Sequence, residues 1–160
     1  MFGLKRGLPM NKAEEHFKKW LDDRDYSYFF VDQTPDTFAR FFKGVTKRPD
    51  FIVVINRVGL IAVDVKDKMP HEKGDYILDE SDEIEKYLHF ERITRIPVWF
   101  AFASAKDHFS NWMWIPLSKV LECPLRTAKA EYGGRPFRAI PPADCIVIQA
   151  KRDGIARIIE

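Results

Sequence analysis

With 160 residues, 46% of them hydrophobic and including 13 Phe and 4 Trp, the chain is long enough to bury one sizeable core and short for two. A formal net charge of +2 argues neither for nor against a nucleic-acid partner, and no stretch approaches the roughly 18 uncharged residues of a membrane span. The two cysteines, Cys123 and Cys145, stand alone in sequence, which excludes a CxxC metal knuckle and a disulfide framework and predicts two plain buried thiols. Lys5 and Arg6 are followed by no apolar run, so a single soluble, cytoplasmic domain spanning 1–160 is expected. The charge is uneven. Residues 1–48 carry ten Lys/Arg against seven Asp/Glu and residues 124–142 four against one, whereas residues 64–91 carry ten acids against four bases.

Asn11 precedes a segment to about Asp23 that reads as an N-capped amphipathic helix, with Ala13, Phe17, Trp20 and Leu21 on one stripe. Tyr26 to Val31 reads as a short strand. Between Pro35 and Gly44, the run from Thr37 to Phe42 predicts a short helix or structured loop whose aromatics pack down. Phe51 to Ile55 and Leu60 to Lys66 are apolar runs joined by Asn56-Arg57-Val58-Gly59, which predicts a β-hairpin in the middle of a covered sheet. A polar loop then runs to Gly74, and a helix capped by Ser81 is expected to reach about Arg95. Val98 to Ala103 reads as a buried strand, Trp112 to Leu117 as another, with a short helix near Ser118. A long loop is expected around Gly133, Gly134, Pro136 and Pro141, before a last strand at Cys145.

Asp64 and Lys66 lie two apart on a strand, so their side chains leave the same face. Charges buried in a sheet need a partner on that face, whether a metal ion, a counter-charge or water. Asp50 is the nearest candidate. Folding the hairpin about Arg57 and Val58 gives paired positions summing to about 115, within one residue of bringing Asp50 against both. For Asp50 to share their face the sum must be even, which predicts an odd loop count or a bulge. Two carboxylates and a lysine at one sheet surface suit metal-assisted phosphodiester hydrolysis, in which a hard cation held through oxygen neutralises phosphate charge and acidifies a bound water.

Arg48-Pro49-Asp50, followed 14 residues after Asp50 by Asp64-Val65-Lys66, resembles the signature of the PD-(D/E)XK nucleases, which include restriction endonucleases and Holliday junction resolvases. An acid-x-Lys triplet alone is weak in a chain with 24 acids, but this one stands in the second strand of the hairpin, with Pro-Asp opening the first. The resemblance covers about residues 11–103 and leaves 104–160 as a C-terminal extension. It implies an α/β restriction endonuclease-like core, with a mixed central sheet flanked by helices in the order helix, three strands, helix, strand. It also implies a glutamate on the first helix with apolar residues three, six and seven positions later, as Glu14 has in Phe17, Trp20 and Leu21. By that resemblance Asp50, Asp64 and the Val65 carbonyl bind Mg²⁺ or Mn²⁺, Glu14 completes or water-bridges the site, and Lys66 is catalytic. The implied activity is endonucleolytic cleavage of DNA, by a homodimer or within a larger nucleic-acid-processing complex.

Plainer readings stand beside these: a strand-end ion pair for Asp64 and Lys66, a Pro-Asp turn for Asp50, and a first-turn helix carboxylate for Glu14. A non-catalytic nucleic-acid or protein binding module with the same fold is the alternative function, and an RNA or single-strand nuclease differs only in substrate. Pro35-Asp36 repeats the dipeptide but precedes no strand. Tyr87, His89 and Arg92 read as packed or solvated helix residues, and the four tryptophans as core. The basic loop with Arg126, Lys129, Arg135 and Arg138 reads either as a phosphate clamp or as a solvated loop. The acidic run at 75–85 reads as facing away from DNA, or toward a protein partner.

Overall fold

The computed structural model of the chain describes residues 9–37 and 39–160, apart from the side chains of Pro35 and Phe41; Lys5, Arg6 and Phe38 lie outside the described residues. In chain order the elements are α1 (Lys12–Asp22), β1 (Tyr28–Phe30), β2 (Phe51–Ile55), β3 (Gly59–Asp67), β4 (Tyr76–Asp79) and α2 (Glu85–Thr94). They continue with β5 (Val98–Ala103), β6 (Asn111–Pro116), α3 (Leu117–Val120), β7 (Leu125–Thr127), β8 (Pro136–Ile140) and β9 (Ile146–Gln149). The central sheet has the order β1-β2-β3-β5-β6-β9. It is mixed, because β3 and β5 run parallel while the other neighbours are antiparallel. A second, antiparallel sheet has the order β4-β8-β7.

Helix α1 starts where the sequence puts it. The Asn11 side chain accepts the Glu14 N–H at 2.9 Å and the Glu14 carboxylate accepts the Asn11 N–H at 3.2 Å, so two N–H groups without helical partners are satisfied reciprocally. The stripe of Ala13, Phe17, Trp20 and Leu21 is buried against one face of the central sheet, where it meets Phe51, Val53, Val63, Val65, Trp112 and Trp114. The opposite face buries Ala62, Phe100, Phe102 and Ile115 beneath Tyr87 of α2 and beneath Tyr76 and Leu78 of β4. Burial on both sides explains why β3 is apolar at consecutive positions, since each Leu-sized or larger side chain buried stabilises by roughly 1.5–3 kcal/mol.

The hairpin pairs Phe51 with Val63 and Ile55 with Gly59, an even register sum with a three-residue connection. Arg57 adopts φ 64° and Gly59 φ 142°, so the reversal is made by left-handed backbone at the loop. This is the odd loop count that lets Asp50 share a face with Asp64 and Lys66.

Several expectations are corrected. The first strand is shorter than Tyr26–Val31, because Asp25 turns at φ 55° and the Tyr26 hydroxyl accepts the Ile155 N–H at 3.0 Å rather than lying in the sheet. The run from Thr37 to Phe42, by contrast, agrees with the short helix or structured loop expected there, with 3₁₀ turns at Pro35–Thr37 and Arg40–Phe42. The expected loop before the second helix contains β4, and the helix is capped by Asp79, which accepts the Asp82 N–H at 2.6 Å, rather than by Ser81. Its first turn, Glu80–Ile84, is widened to π geometry, and Arg95 at φ 61° ends the helix at Thr94. The supposed long loop holds β7 and β8, joined through Gly133 and Gly134 at positive φ. Within residues 104–160, the expected C-terminal extension, β6 and β9 extend the central sheet. Cys123 is buried, Cys145 half-buried, and both are free thiols. Among the described residues no helix is long and apolar enough to cross a membrane.

Candidate active site

A cavity of about 350 Å³ opens where the start of β2 meets the end of β3, lined by Asn11, Glu14, Gln33, Lys47, Arg48, Asp50, Asp64, Val65, Lys66, Asp67, Lys68 and Tyr87. All five residues singled out from the sequence, Glu14, Asp50, Asp64, Val65 and Lys66, line it. Asp50 stands one residue before the β2 ladder, anchored by its N–H to the Val63 carbonyl at 3.0 Å and by its carbonyl to the Val31 N–H at 2.9 Å. Its carboxylate accepts the Val65 N–H at 2.7 Å, which fixes one oxygen of a group that lines the cavity. Asp64, in the middle of the β3–β5 pairing, is 4% exposed. Its Oδ2 lies 3.1 Å from Lys66 Nζ and 3.8 Å from Lys47 Nζ, yet it is buried without a hydrogen bond, so these contacts are ion pairs without directional alignment.

Arg48 holds the approach to Asp50. Its guanidinium donates to the carbonyls of Asp32, Gln33 and Thr34 and to the Thr37 hydroxyl, while the Gln33 amide donates to the Pro49 carbonyl at 3.0 Å. The Tyr87 hydroxyl donates to the Arg48 carbonyl at 3.2 Å. Arg48-Pro49-Asp50 is therefore braced from both sides.

The electrostatics follow from crowding two carboxylates in a dry corner. Burial, and then the neighbouring Asp64 carboxylate, push the Asp50 carboxyl up to about 8 against the lowering effect of the Val65 N–H. Burial also works against the Lys66 charge, but Asp64 and Glu83 outweigh it and hold the ammonium above the usual lysine range. Glu14 is raised by partial burial and by Asp64. Its carboxylate is simultaneously engaged by the Asn11 backbone N–H and by the Asn11 amide at 2.8 Å. Glu14 thus sits at the rim of the cavity as a helix-capping group.

Glu83, from the π turn before α2, was missed as a site residue. One of its oxygens accepts from Lys66 Nζ and lies 3.4 Å from Lys47 Nζ; the other accepts the Asp79 N–H at 3.2 Å. Despite burial, Lys66 and then Lys47 hold its carboxyl down at about 2. Within the acidic run at 75–85, Glu83 therefore turns inward onto Lys66 and Lys47. A helix-start acid looks the same in sequence whether it faces solvent or a pair of lysines on other elements. His89 and Arg92 do not line the cavity, nor does the basic loop. Arg138 instead forks onto Glu80 at 2.8 and 3.0 Å and donates to the Leu121 and Cys123 carbonyls, and Arg135 pairs with Asp82 at 3.0 Å.

The donor set suits a small hard cation. Two carboxylates meet in a buried corner, one titrating far above the carboxylate range and the other carrying an oxygen with no hydrogen bond, and a divalent ion would relieve both. Among the described residues no three His, Cys, Asp or Glu side chains gather as a metal cluster, so backbone carbonyl and water would have to complete the coordination.

No family model and no curated protein matches the chain. Among solved structures the fold is similar to that of Hjc, a Holliday junction resolvase from the archaeal hyperthermophile Archaeoglobus fulgidus. The TM-score is 0.51 at 15% sequence identity, over 80% of this chain and 86% of that one.

Proposed function

We propose that the chain is a metal-dependent endonuclease that hydrolyses DNA phosphodiester bonds. The observation that carries the reading is the convergence of Asp50, Asp64 and Lys66 on one cavity wall, with Asp64 Oδ2 buried and free of hydrogen bonds. The likeness of the fold to a Holliday junction resolvase supports it. Asp50, Asp64 and the Val65 carbonyl would hold Mg²⁺ or Mn²⁺, with Glu14 in support through water. Such a cation supplies charge neutralisation at the phosphate and a more acidic water. The Val65 N–H orients Asp50. Lys66, kept protonated by its carboxylate neighbours, acts as a cationic hydrogen-bond donor to the attacking water or to the charge developing on phosphate, not as a base. A homodimer, or a place in a larger nucleic-acid-processing complex, would supply the phosphate contacts that one short groove lacks.

The test is cleavage of linear duplex, single strand, flap and four-way junction DNA with Mg²⁺ and with Mn²⁺, beside Asp64→Asn. Metal-dependent cutting that vanishes in a variant that still folds is expected; cutting retained by the variant overturns the assignment. A second reading, a non-catalytic binding module, draws support from the engagement of the Glu14 carboxylate by the Asn11 N–H and amide. Calorimetric titration of Mg²⁺ or Mn²⁺ separates the two, because a module shows no site that Asp64→Asn removes.

A further inference from the structure

Three residues of the cavity lining, Lys47, Asp64 and Lys66, join Glu83 in a chain of alternating charges that the proposed chemistry does not use in full. Asp64, Lys66, Glu83 and Lys47 follow one another in contact, and Lys47 closes the ring by lying 3.8 Å from Asp64 Oδ2 and 3.4 Å from Glu83. Three of the four side chains are largely buried, Glu83 and Lys66 being 12% and 14% exposed, so these are not surface pairs of negligible worth. Lysine is a point charge on a flexible four-carbon stem, and it goes where the strongest carboxylate lies. With Asp64 as its only partner, Lys66 would settle onto that carboxylate and fill the position a cation needs. Its hydrogen bond goes to Glu83, while Asp64 Oδ2, 3.1 Å away, is left buried without one.

We propose that Glu83 is the positioning residue for Lys66: it takes the directed hydrogen bond of the ammonium and fixes it at the cavity, so that the contact with Asp64 stays a 3.1 Å ion pair and Asp64 Oδ2 keeps its lone pairs for a cation. The anchoring of Glu83 is independent of the lysines. Its second oxygen accepts the Asp79 N–H while the Asp79 carboxylate accepts the Asp82 N–H, so a reciprocal cap fixes the carboxylate before it meets Lys66. The widened turn at Glu80–Ile84 belongs to the same device, because Ile84 and Tyr87 stay buried against the sheet while Glu83 reaches its end. Lys47 balances the second negative charge and lies 5.5 Å from the Tyr87 ring centre.

This proposal rests on the nuclease reading of the same site, and its test separates the two. In metal-free protein with ¹⁵N-labelled lysine, the Lys66 ammonium is expected to give a resolved, slowly exchanging signal that Glu83→Gln abolishes and Glu83→Asp, which keeps the charge with less reach, weakens. In turnover with Mg²⁺, Glu83→Gln is expected to lower kcat by about tenfold or more with KM for DNA within about threefold, since Glu83 acts through Lys66 rather than on substrate. A Lys66 signal unchanged in folded Glu83→Gln, or a kcat equal to wild type, overturns the proposal. Wild-type protein that fails to cut any substrate defeats the nuclease reading instead, and the metal-free signal still decides whether Glu83 holds Lys66.

Discussion

Asp50 and Glu83 are buried carboxyls displaced in opposite directions, and the difference lies in what faces them. Asp50 meets a second carboxylate and keeps its proton to about 8, whereas Glu83 meets two ammonium groups and loses its proton near 2. The signs for stability follow. Above the unfolded carboxyl range the unfolded chain has released the Asp50 proton and the folded chain has not, so the metal-free fold loses stability as pH rises toward 8. Glu83 contributes stability above its unfolded value of 4.5, and this is lost as pH falls toward 2. Metal-free protein is therefore expected to melt highest between those windows, in mild acid, and to lose a few kcal/mol by pH 8. Asp50→Asn should flatten the alkaline side and raise the melting temperature at pH 8. A wild-type melting temperature that climbs from pH 5 to 8 without metal would contradict the cause given for Asp50. Added Mg²⁺ should stabilise wild type more at pH 8 than at pH 5.5, because the ion competes with the Asp50 proton, which is held at pH 5.5 and is leaving at pH 8.

At the level of elements, α1 carries two tasks in one residue. Glu14 closes the helix cap and lines the cavity. Asn11→Ala is expected to cost about 1 kcal/mol of stability without weakening Mg²⁺ binding. Glu14→Gln is expected to cost a similar amount and to weaken Mg²⁺ binding as well, both read by calorimetry and thermal melts. Equal metal affinity in Glu14→Gln and wild type would leave Glu14 as a cap alone. The hairpin is equally exacting. With paired positions at an even sum, deleting one residue from Asn56-Arg57-Val58 moves Asp50 to the opposite face from Asp64. The stripe of α1, the hairpin and its odd connection were legible from sequence because each is a local pattern of period 3.6 or 2. The strand at Tyr76–Asp79 was not, since four residues beside a run of acids look like a loop until β8 pairs with them.

At the scale of the molecule, the second sheet sets the start of α2. The Arg138 fork onto Glu80 ties β8 to the π turn that carries Glu83, across 58 positions of sequence. Arg138→Met is expected to destabilise by about 2 kcal/mol, because Glu80 is left half-buried without its partner, and to lower turnover as Glu83→Gln does. Turnover unchanged in a folded Arg138→Met variant would show that the turn holds its shape without the second sheet. Sedimentation equilibrium is expected to find a dimer; a monomer that cleaves duplex DNA would remove the need for a second copy in the proposal. What the sequence by itself determined is the part of this protein written in neighbouring residues: a capped amphipathic helix, a central hairpin, and two charges on one strand face where burial forbids them to stand alone. The tertiary structure decided which partner answers those charges. Asp50 comes from across the hairpin, Glu83 and Tyr87 from α2 and the turn before it, and Lys47 from the loop before Asp50. Charged groups act through space over a few ångströms whatever their separation along the chain, and a helix-start glutamate carries no mark of the lysine it will meet.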